Sequence, residues 1–306
     1  MRIIFMGTPD YATCILSKIL TLPDVCVPLV VTQQDKPVGR KQVLTPPHIK
    51  KWLLEKNIET KILQPHSLRE AGVKETLASV HPDLIIVAAY GQILPKEILD
   101  LAPCINLHAS ILPSYRGASP IQSSILHQDQ WSGVTAMLME EGLDSGDILA
   151  LRYVALGEKN VGELFDALAT AAADLTLRVI ENFPSIQPLP QVNADASYCK
   201  KIKKNDGLID FFDEAKTIYT KYKALTPWPG IFLESGLKIK ALAIGDDKQM
   251  HHDKAGMIES ISEEAVSVLC HKGSLKIKKV QAPSKKEILA SEYIRGKRQT
   301  IGDFLV

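Results

Sequence analysis

Short apolar runs alternate with helical patterns over roughly the first 180 residues of this 306-residue chain, and this alternation constrains the fold more than any other feature. The runs are rich in Ile, Val and Leu with little polar alternation, as parallel strands are when both faces of their sheet are covered. We predict strands over Arg2–Met6, Val25–Thr32, Lys61–Leu63, Leu84–Ala88 and Cys104–Leu107. Helices are predicted over Tyr11–Leu20, His48–Glu55, Leu68–Val80 and Val161–Asn182. The expected fold class is α/β, with a Rossmann-like, doubly wound sheet.

The second part of the chain has a different pattern. Prolines at positions 184, 188 and 190 mark a linker after the long helix. A helix over Glu214–Lys223 is then followed by short alternating stretches, which indicate a small β-barrel: Gly230–Leu233, Lys238–Ala243, Ala265–His271 and Leu275–Ala282. We therefore divide the chain into a domain of residues 1–189, a linker of residues 190–205 and a smaller domain of residues 206–306.

Charge is distributed unevenly, although the whole chain carries a formal charge of only +1. Residues 200–306 contain 20 Lys and Arg against 14 Asp and Glu, whereas residues 1–199 contain 16 against 21. The five cysteines are scattered and form no C-x-x-C pair, which favours a reducing compartment and gives no sign of a zinc site. No apolar run reaches the roughly 18–20 residues of a membrane span. We expect a cytoplasmic protein that binds no metal and no membrane.

Three polar side chains stand out as candidates for chemistry. Asn106 and His108 lie two positions apart on a predicted strand and should project to the same side. The segment Gly142–Asp147 (GLDSGD), between predicted strands Val134–Met139 and Ile148–Ala155, adds the carboxylate of Asp144. A carboxamide can stabilise an oxyanion, an imidazole can transfer a proton, and a carboxylate can orient that imidazole.

Each of these residues also has a structural interpretation. An Asn at a strand end is commonly a cap, a single His is commonly a structural residue, and a Gly-Asp-rich loop is commonly a turn. The three together favour a site, because the predicted strand ends at Tyr90 and at Asn106–His108 lie where ligands bind in open α/β sheets. The turn at Gly7–Pro9 lacks the G-x-G-x-x-G pattern, so we do not expect a dinucleotide there.

At these positions the chain resembles the methionyl-tRNA formyltransferases. The opening MRIIFMGTPDY, the segment VAAYGQILP at residues 87–95, Asn106–Gly117 (NLHASILPSYRG), the GLDSGD loop and the block TPWPG at residues 226–230 follow in that family's order. Asn-x-His with Ser-x-Leu-Pro and a later Asp is shared by folate-dependent formyltransferases generally. Two positions depart from the family's pattern: Ile111 replaces a common Leu, and Glu140-Glu141 precedes the loop where an Asp is usual.

The resemblance implies an activity and a set of residues for it. It implies transfer of a formyl group from 10-formyltetrahydrofolate, without a metal, to the α-amino group of initiator methionyl-tRNA, and an OB-like barrel as the second domain. Asn106 would then bind the oxyanion, His108 would handle the proton, and Asp144 would hydrogen-bond to His108 and favour its charged form. The expected folate-binding residues are Ser110, Ile111, Leu112 and Pro113, with Tyr90 and Leu94 along the same wall.

Two basic stretches are the expected contacts with tRNA. Arg40 and Lys41 lie in a stretch without acidic residues, from Lys36 to Leu54, that resembles a tRNA-contacting insertion of the family. Lys276, Lys278 and Lys279 lie in a second such stretch. Clusters of basic side chains suit phosphates, but lysines on a strand also discourage edge pairing.

Two other functions remain open at the level of sequence. The chain could formylate a small amine, such as an amino sugar carried by a nucleotide, or it could be a tRNA-binding module with an inactive folate site. The basic second half and Tyr115–Gly117 favour tRNA over a small amine as the acceptor. The presence of Asn106, His108 and Asp144 together favours an active enzyme. No contact with DNA is expected.

Overall fold

Strands and helices alternate through the first of two compact units, which comprises Met1–Ser124, Gln130–Gly157 and Gly162–Lys200. The computed structural model describes all residues except Arg40, His251, His252 and Val306. Its strands up to residue 200 are β1 (Arg2–Gly7), β2 (Cys26–Val31), β3 (Lys36–Val38), β4 (Val43–Thr45), β5 (Lys61–Leu63), β6 (Leu84–Ala88), β7 (Cys104–His108), β8 (Arg116–Gly117), β9 (Trp131–Leu138), β10 (Ile148–Ala155) and β11 (Tyr198–Cys199). The helices are α1 (Asp10–Ile19), α2 (His48–Glu55), α3 (Val73–Ala78), α4 (Lys96–Leu99), α5 (Pro120–Leu126) and α6 (Val161–Asn182).

Seven of these strands form one sheet in the order β10-β9-β7-β6-β1-β2-β5. Five neighbouring strands of this sheet, β7, β6, β1, β2 and β5, are parallel to one another. The hairpin of β9 and β10 extends the sheet beyond β7 in antiparallel fashion. The chain moves outward from β1 through β2 and β5, then returns to the other side of β1 with β6. The strand order therefore reverses between β1 and β6, which is where open α/β sheets bind ligands, at the carboxyl ends of the strands.

Both faces of the parallel strands are buried, as their apolar composition predicts. One face, with Ile4 and Met6 of β1 and Ile85 and Val87 of β6, packs against α3 and α4. On strand positions of the other parity, Ile3 and Phe5 are fully buried, and α1 contacts β1 and β6. This arrangement confirms the predicted doubly wound α/β class for the first unit.

The prediction of a helix over Leu68–Val80 is wrong in its first half. Helix α3 begins only at Val73, because Gly72 adopts a left-handed conformation with φ of 84° that interrupts a right-handed helix. Residues 67–72 form turns instead, with Glu70 N donating to the Ser67 carbonyl. The sequence analysis also missed α4, α5 and the hairpin of β3 and β4.

The second unit, which comprises Ile125–Asp129, Glu158–Val161 and Lys201–Val306, contains an antiparallel sheet. Its elements are α7 (Ala215–Leu225), β12 (Ile231–Phe232), β13 (Lys238–Ile244), β14 (Ile258–Ile261), β15 (Val266–Leu269), β16 (Ser274–Gln281), β17 (Ile288–Leu289) and α8 (Ala290–Gly296). Strands β12 to β16 pair in the order β12-β13-β16-β15-β14, and β17 pairs with β16. The core joins this sheet to α7 and α8 through residues such as Ile218, Ile277 and Ile294. The smaller β-rich domain predicted here is confirmed as an antiparallel sheet, while its closure into an OB-like barrel stays a prediction. Strands β14 and β17 and helix α8 add to the predicted elements.

The first part of the predicted linker (residues 190–205) makes hydrogen bonds with residues of the first unit. Strand β11 pairs in parallel with β8, and Gln191 and Asn193 accept hydrogen bonds from Arg116. The placement of a domain boundary within 190–205 stays a prediction. Among the helices of the described residues, none combines the length and the apolar character that a membrane crossing requires.

Candidate active site

The carboxyl end of β7 brings together the three residues singled out in the sequence. Asn106 and His108 lie on β7, which is flanked by β6 and β9. Asp144 comes from the loop that connects β9 to β10, and its backbone has a φ of 48°. A non-glycine residue in this left-handed region is uncommon, and such strain concentrates at functional sites.

The carboxylate of Asp144 contacts three different groups. Its Oδ2 accepts a hydrogen bond of 2.9 Å from the backbone N–H of Gly117, and its Oδ1 accepts a long one of 3.4 Å from Asn106 Nδ2. Oδ2 also lies 3.7 Å from His108 Nδ1. The side chain is 15% exposed, so these contacts lie in a poorly hydrated environment where electrostatic interactions are strong.

The predicted hydrogen bond between Asp144 and His108 is wrong in this structure. The separation of 3.7 Å is the distance of an ion-pair contact and exceeds hydrogen-bonding range. Oδ2 instead accepts from Gly117. The other imidazole nitrogen, Nε2, lies 2.9 Å from the Tyr115 carbonyl, which can only accept, so Nε2 carries the hydrogen and Nδ1 is the nitrogen that faces the carboxylate.

Asn106 is placed to bind a further group. Its carboxamide nitrogen has two N–H donors, and among the contacts of the described residues only one is used, in the long bond to Asp144. The side chain is partly exposed, whereas His108 beside it is buried. Behind the strand, the buried Tyr11 hydroxyl donates to the Leu107 carbonyl and ties α1 to β7. Burial raises the pKa of this phenol far above its usual value, so it stays a neutral donor.

The segment from Ser110 to Pro113 forms a fixed corner after β7. Thr135 of β9 holds it twice: its hydroxyl donates to the Ser110 carbonyl at 2.7 Å and accepts from Leu112 N at 3.0 Å. The Ser110 hydroxyl in turn donates to the Ser114 carbonyl at 2.6 Å. Ser110 and Leu112 are buried, whereas Ile111 and Pro113 are partly exposed and form the accessible part of the corner.

The side chains of Tyr90 and Leu94 are buried in the apolar core and do not line an accessible surface. Both side chains belong to the apolar core beside α3 and α4 and are at most 3% exposed. Burial raises the pKa of the Tyr90 hydroxyl to about 12. The Tyr90 carbonyl accepts hydrogen bonds from Thr8 Oγ1 and Gln33 Nε2. A folate contact of these two residues stays a prediction.

Glu140, one of the two departures from the family's pattern, has a local role. Its carboxylate accepts a hydrogen bond of 2.6 Å from the Ser145 hydroxyl. The loop from Gly142 to Asp147 is also fixed at its end, because Leu138 N donates to the Asp147 carbonyl. The acidic residue therefore supports the loop that carries Asp144.

The basic segment near position 40 forms a β-hairpin. Strands β3 and β4 pair from Lys36 with Thr45 to Val38 with Val43. Lys41 is exposed in the connecting turn, while Arg40 lies outside the described residues. At the base of the hairpin, hydrogen bonds from Gln64 and Lys50 hold the pKa of Asp35 below its usual value.

The three lysines of the second unit that are predicted to contact tRNA all lie on β16. Lys276, Lys278 and Lys279 are exposed, and Lys279 forms an ion pair of 3.3 Å with Glu287. The interpretation that these lysines protect a strand edge is wrong, because β16 pairs with β13 on one side and with β15 on the other. Lys276 and Lys278 are thus exposed cations that do not protect a strand edge. Their contact with phosphates stays a prediction.

The sequence analysis assigned no supporting role to three side chains at the site, although Arg116 belongs to the Tyr115–Gly117 motif that it named. Thr135 fixes the corner after β7. Gln191 connects the loop of Asp144 to the buried Arg116, because it donates to the Asp144 carbonyl and accepts from the guanidinium. Thr135 lies opposite His108 in the register of β7 and β9, which a hairpin pairing alone does not reveal. Gln191 lies in a proline-rich segment that reads as a linker, and no local pattern distinguishes it.

Comparisons with known proteins agree on one family. A family model described as "Formyl transferase" matches residues 1–180, and a second, "Formyl transferase, C-terminal domain", matches residues 201–298. A methionyl-tRNA formyltransferase of Nitratiruptor sp. is 55% identical over 304 residues, which are 99% of this chain and 99% of that protein. One of Wolinella succinogenes is 51% identical over 306 residues, or 100% of this chain and 99% of that protein.

The fold has a solved counterpart with a folate bound. HypX from Aquifex aeolicus, in complex with tetrahydrofolic acid, superposes with a TM-score of 0.64 at 16% identity. The match covers 96% of this chain and 47% of that one. At this identity the likeness concerns the fold alone.

Proposed function

This chain belongs to the methionyl-tRNA formyltransferase family, and from that premise we propose that it transfers the formyl group of 10-formyltetrahydrofolate to the α-amino group of initiator methionyl-tRNA. The observation that carries the proposal is the meeting of Asn106, His108 and Asp144 at the end of β7. The product is N-formylmethionyl-tRNA, which serves translation initiation.

Asn106 is the residue that we assign to the oxyanion. An α-amine has a reference pKa of about 8, so an appreciable neutral fraction can attack the formyl carbon near pH 7 without a strong base. Negative charge then develops on the formyl oxygen. The uncommitted N–H of Asn106 can donate to that oxygen, and a fixed donor of this kind stabilises the transition state more than the ground state.

His108 and Asp144 are assigned to the proton that the reaction moves. A new bond forms between the α-amino nitrogen and the formyl carbon, the bond from that carbon to the folate nitrogen breaks, and one proton passes from the amine to the folate nitrogen. Nδ1 of His108 is the nitrogen available for this transfer, since Nε2 is held by the Tyr115 carbonyl. A positive charge on the ring is stabilised by Asp144, 3.7 Å away.

The folate co-substrate fits the corner after β7. The reacting formyl group must reach Asn106, and the corner that begins two residues after His108 offers a partly exposed apolar surface at Ile111 and Pro113. The hydrogen bond that Thr135 donates to the Ser110 carbonyl and the one that it accepts from Leu112 N fix this surface. A fixed wall supports binding because little conformational entropy is lost there.

The acceptor distinguishes this function from formylation of a small amine. We propose to incubate the protein with 10-formyltetrahydrofolate and an equimolar mixture of methionyl-tRNA and a nucleotide-linked amino sugar, and to measure both products by mass spectrometry. Formyl-methionyl-tRNA is expected as the main product. A formylated sugar would move the proposal to the small-amine class, and the absence of both products would leave a tRNA-binding module.

Asn106→Ala tests the oxyanion assignment directly. Removal of one such donor costs about 3 kcal/mol of transition-state stabilisation, or roughly a hundredfold in kcat. Asn182→Ala, at the exposed end of α6, serves as the control, because its side chain bonds only to the Arg178 carbonyl of its own helix among the contacts of the described residues. A kcat of Asn106→Ala within threefold of the unsubstituted protein would rule out this role for Asn106.

A further inference from the structure

Gln191 forms hydrogen bonds both with Arg116 of β8 and with the loop that carries Asp144. Its Oε1 accepts hydrogen bonds from Arg116 Nε at 3.1 Å and from Arg116 Nη2 at 2.8 Å. Its Nε2 donates to the carbonyls of Asp144 at 2.9 Å and of Gly146 at 2.7 Å. A carboxamide offers two acceptor sites and two donors, so all four are used.

The orientation of this carboxamide is determined by its neighbours. A guanidinium can only donate and a backbone carbonyl can only accept, so the oxygen must face Arg116 and the nitrogen must face the loop. Arg116 is 2% exposed, and among the described residues no carboxylate lies within ion-pair distance of its guanidinium. Its charge is directed instead to the amide oxygens of Gln191 and Asn193, where charge-assisted hydrogen bonds are stronger than neutral ones.

The two carbonyls that Gln191 holds lie on the loop that determines where the Asp144 carboxylate stands. Asp144 adopts a left-handed backbone conformation, which a non-glycine residue keeps only when surrounding contacts enforce it. Strand β8 acts on the same residue twice: Gly117 N binds the carboxylate, and Arg116 acts on the Asp144 backbone through Gln191. Side chain and backbone of Asp144 are thus fixed from one strand.

We propose that Gln191 is a positioning residue for formyl transfer, which sets the place of the Asp144 carboxylate by holding the carbonyls of Asp144 and Gly146. This inference rests on the proposed function of the site, since Asp144 is the group through which Gln191 acts. Gln191 itself does not touch the reacting atoms.

The variant Gln191→Glu separates positioning from folding. It keeps both acceptor contacts with Arg116 and gains an ion pair with it, but it replaces the two N–H donors by an oxygen that repels both carbonyls. Displacement of a reacting group by about 1 Å costs on the order of 100-fold in rate. We therefore expect kcat to fall by about 10-fold to 100-fold, with the KM for each substrate changed less than threefold. Val192→Ala, a substitution at an exposed neighbour, is the matched control.

Two further measurements make the inference refutable. In an Asp144→Ala background, Gln191→Glu should lower kcat no further, since its effect passes through the Asp144 carboxylate. Hydrogen exchange of the amides of residues 142–147 should be faster in Gln191→Glu than in Val192→Ala, and this readout needs no activity. Unchanged exchange, an unchanged kcat, or additive losses in the double variant would each overturn the positioning role. Absence of formyl transfer in the unsubstituted protein would instead refute the proposed function.

Discussion

Substitution of Thr135 by valine should destabilise the protein through two backbone groups that are far away in sequence. Thr135 is fully buried, and its hydroxyl pairs with the Ser110 carbonyl and the Leu112 N–H at 2.7 Å and 3.0 Å. Valine has nearly the same shape and suits a strand. The substitution therefore removes the hydroxyl and little else.

The cost follows from the groups left behind. A buried donor or acceptor without a partner costs about 1–3 kcal/mol, and two are left here. A buried methyl group in place of a hydroxyl returns about 1 kcal/mol. The two groups together cost about 2–6 kcal/mol, so the net loss of unfolding free energy should be about 1–5 kcal/mol. Thr135→Ser keeps the hydroxyl and removes a methyl group, at a cost of about 1 kcal/mol.

Urea denaturation of both variants and the unsubstituted protein measures these free energies, and hydrogen exchange of the Leu112 amide localises the effect. We expect the midpoint to fall further for Thr135→Val than for Thr135→Ser, with exchange at Leu112 faster only in the valine variant. The KM for 10-formyltetrahydrofolate should rise in parallel, because the corner after β7 loses its support. A valine variant that is as stable as the serine variant would show that the hydroxyl does not hold this corner.

Two further predictions concern the exposed lysines and the cysteines. If Lys276 and Lys278 contact phosphates, their joint replacement by Gln should reduce the slope of log K against log salt for methionyl-tRNA by about two, and an unchanged slope in a filter-binding series would contradict this. Burial raises the pKa of the Cys104 thiol to about 12, so thiolate, the reactive form, is scarce there at pH 8. Iodoacetamide should label the exposed Cys26 and spare Cys104 in peptide mass spectrometry, and equal labelling of both would refute the burial argument.

The α/β class was predictable because the sheet is buried on both faces. Runs such as Leu84–Ala88 must be apolar on both sides of the strand, so a single window of sequence shows the pattern without any knowledge of partners. Boundaries were less predictable where one backbone conformation decides them. The left-handed conformation of Gly72 prevents α3 from beginning earlier. The sequence pattern around a glycine does not show which φ that glycine adopts.

The candidate site shows the same division between local and distant information. The spacing of Asn106 and His108 follows from the two-residue period of a strand, which is local. The partner of His108 Nε2, by contrast, is the Tyr115 carbonyl, and that depends on how the chain folds back after a corner. Gln191 is more distant still, since its contact with Asp144 spans 47 residues. Contacts of this kind are set by tertiary structure and leave no periodic signal.

Asp144→Asn should be more damaging than the loss of a charge alone, because the carboxylate uses both oxygens as acceptors. Oδ1 accepts from Asn106 and Oδ2 from Gly117 N, whereas an Asn side chain has one acceptor oxygen and an NH₂ group that cannot accept. One of the two donors then faces the NH₂ group, unless Asn106 reverses its own carboxamide and turns its N–H donors away from their present direction. A hydrogen bond to a charged group contributes about 1.5–3 kcal/mol, so kcat/KM should fall by about 10-fold to 150-fold, nearly as far as in Asp144→Ala. An Asn variant with more than a tenth of the original kcat/KM would refute the double-acceptor role and leave Asp144 as a source of charge beside His108.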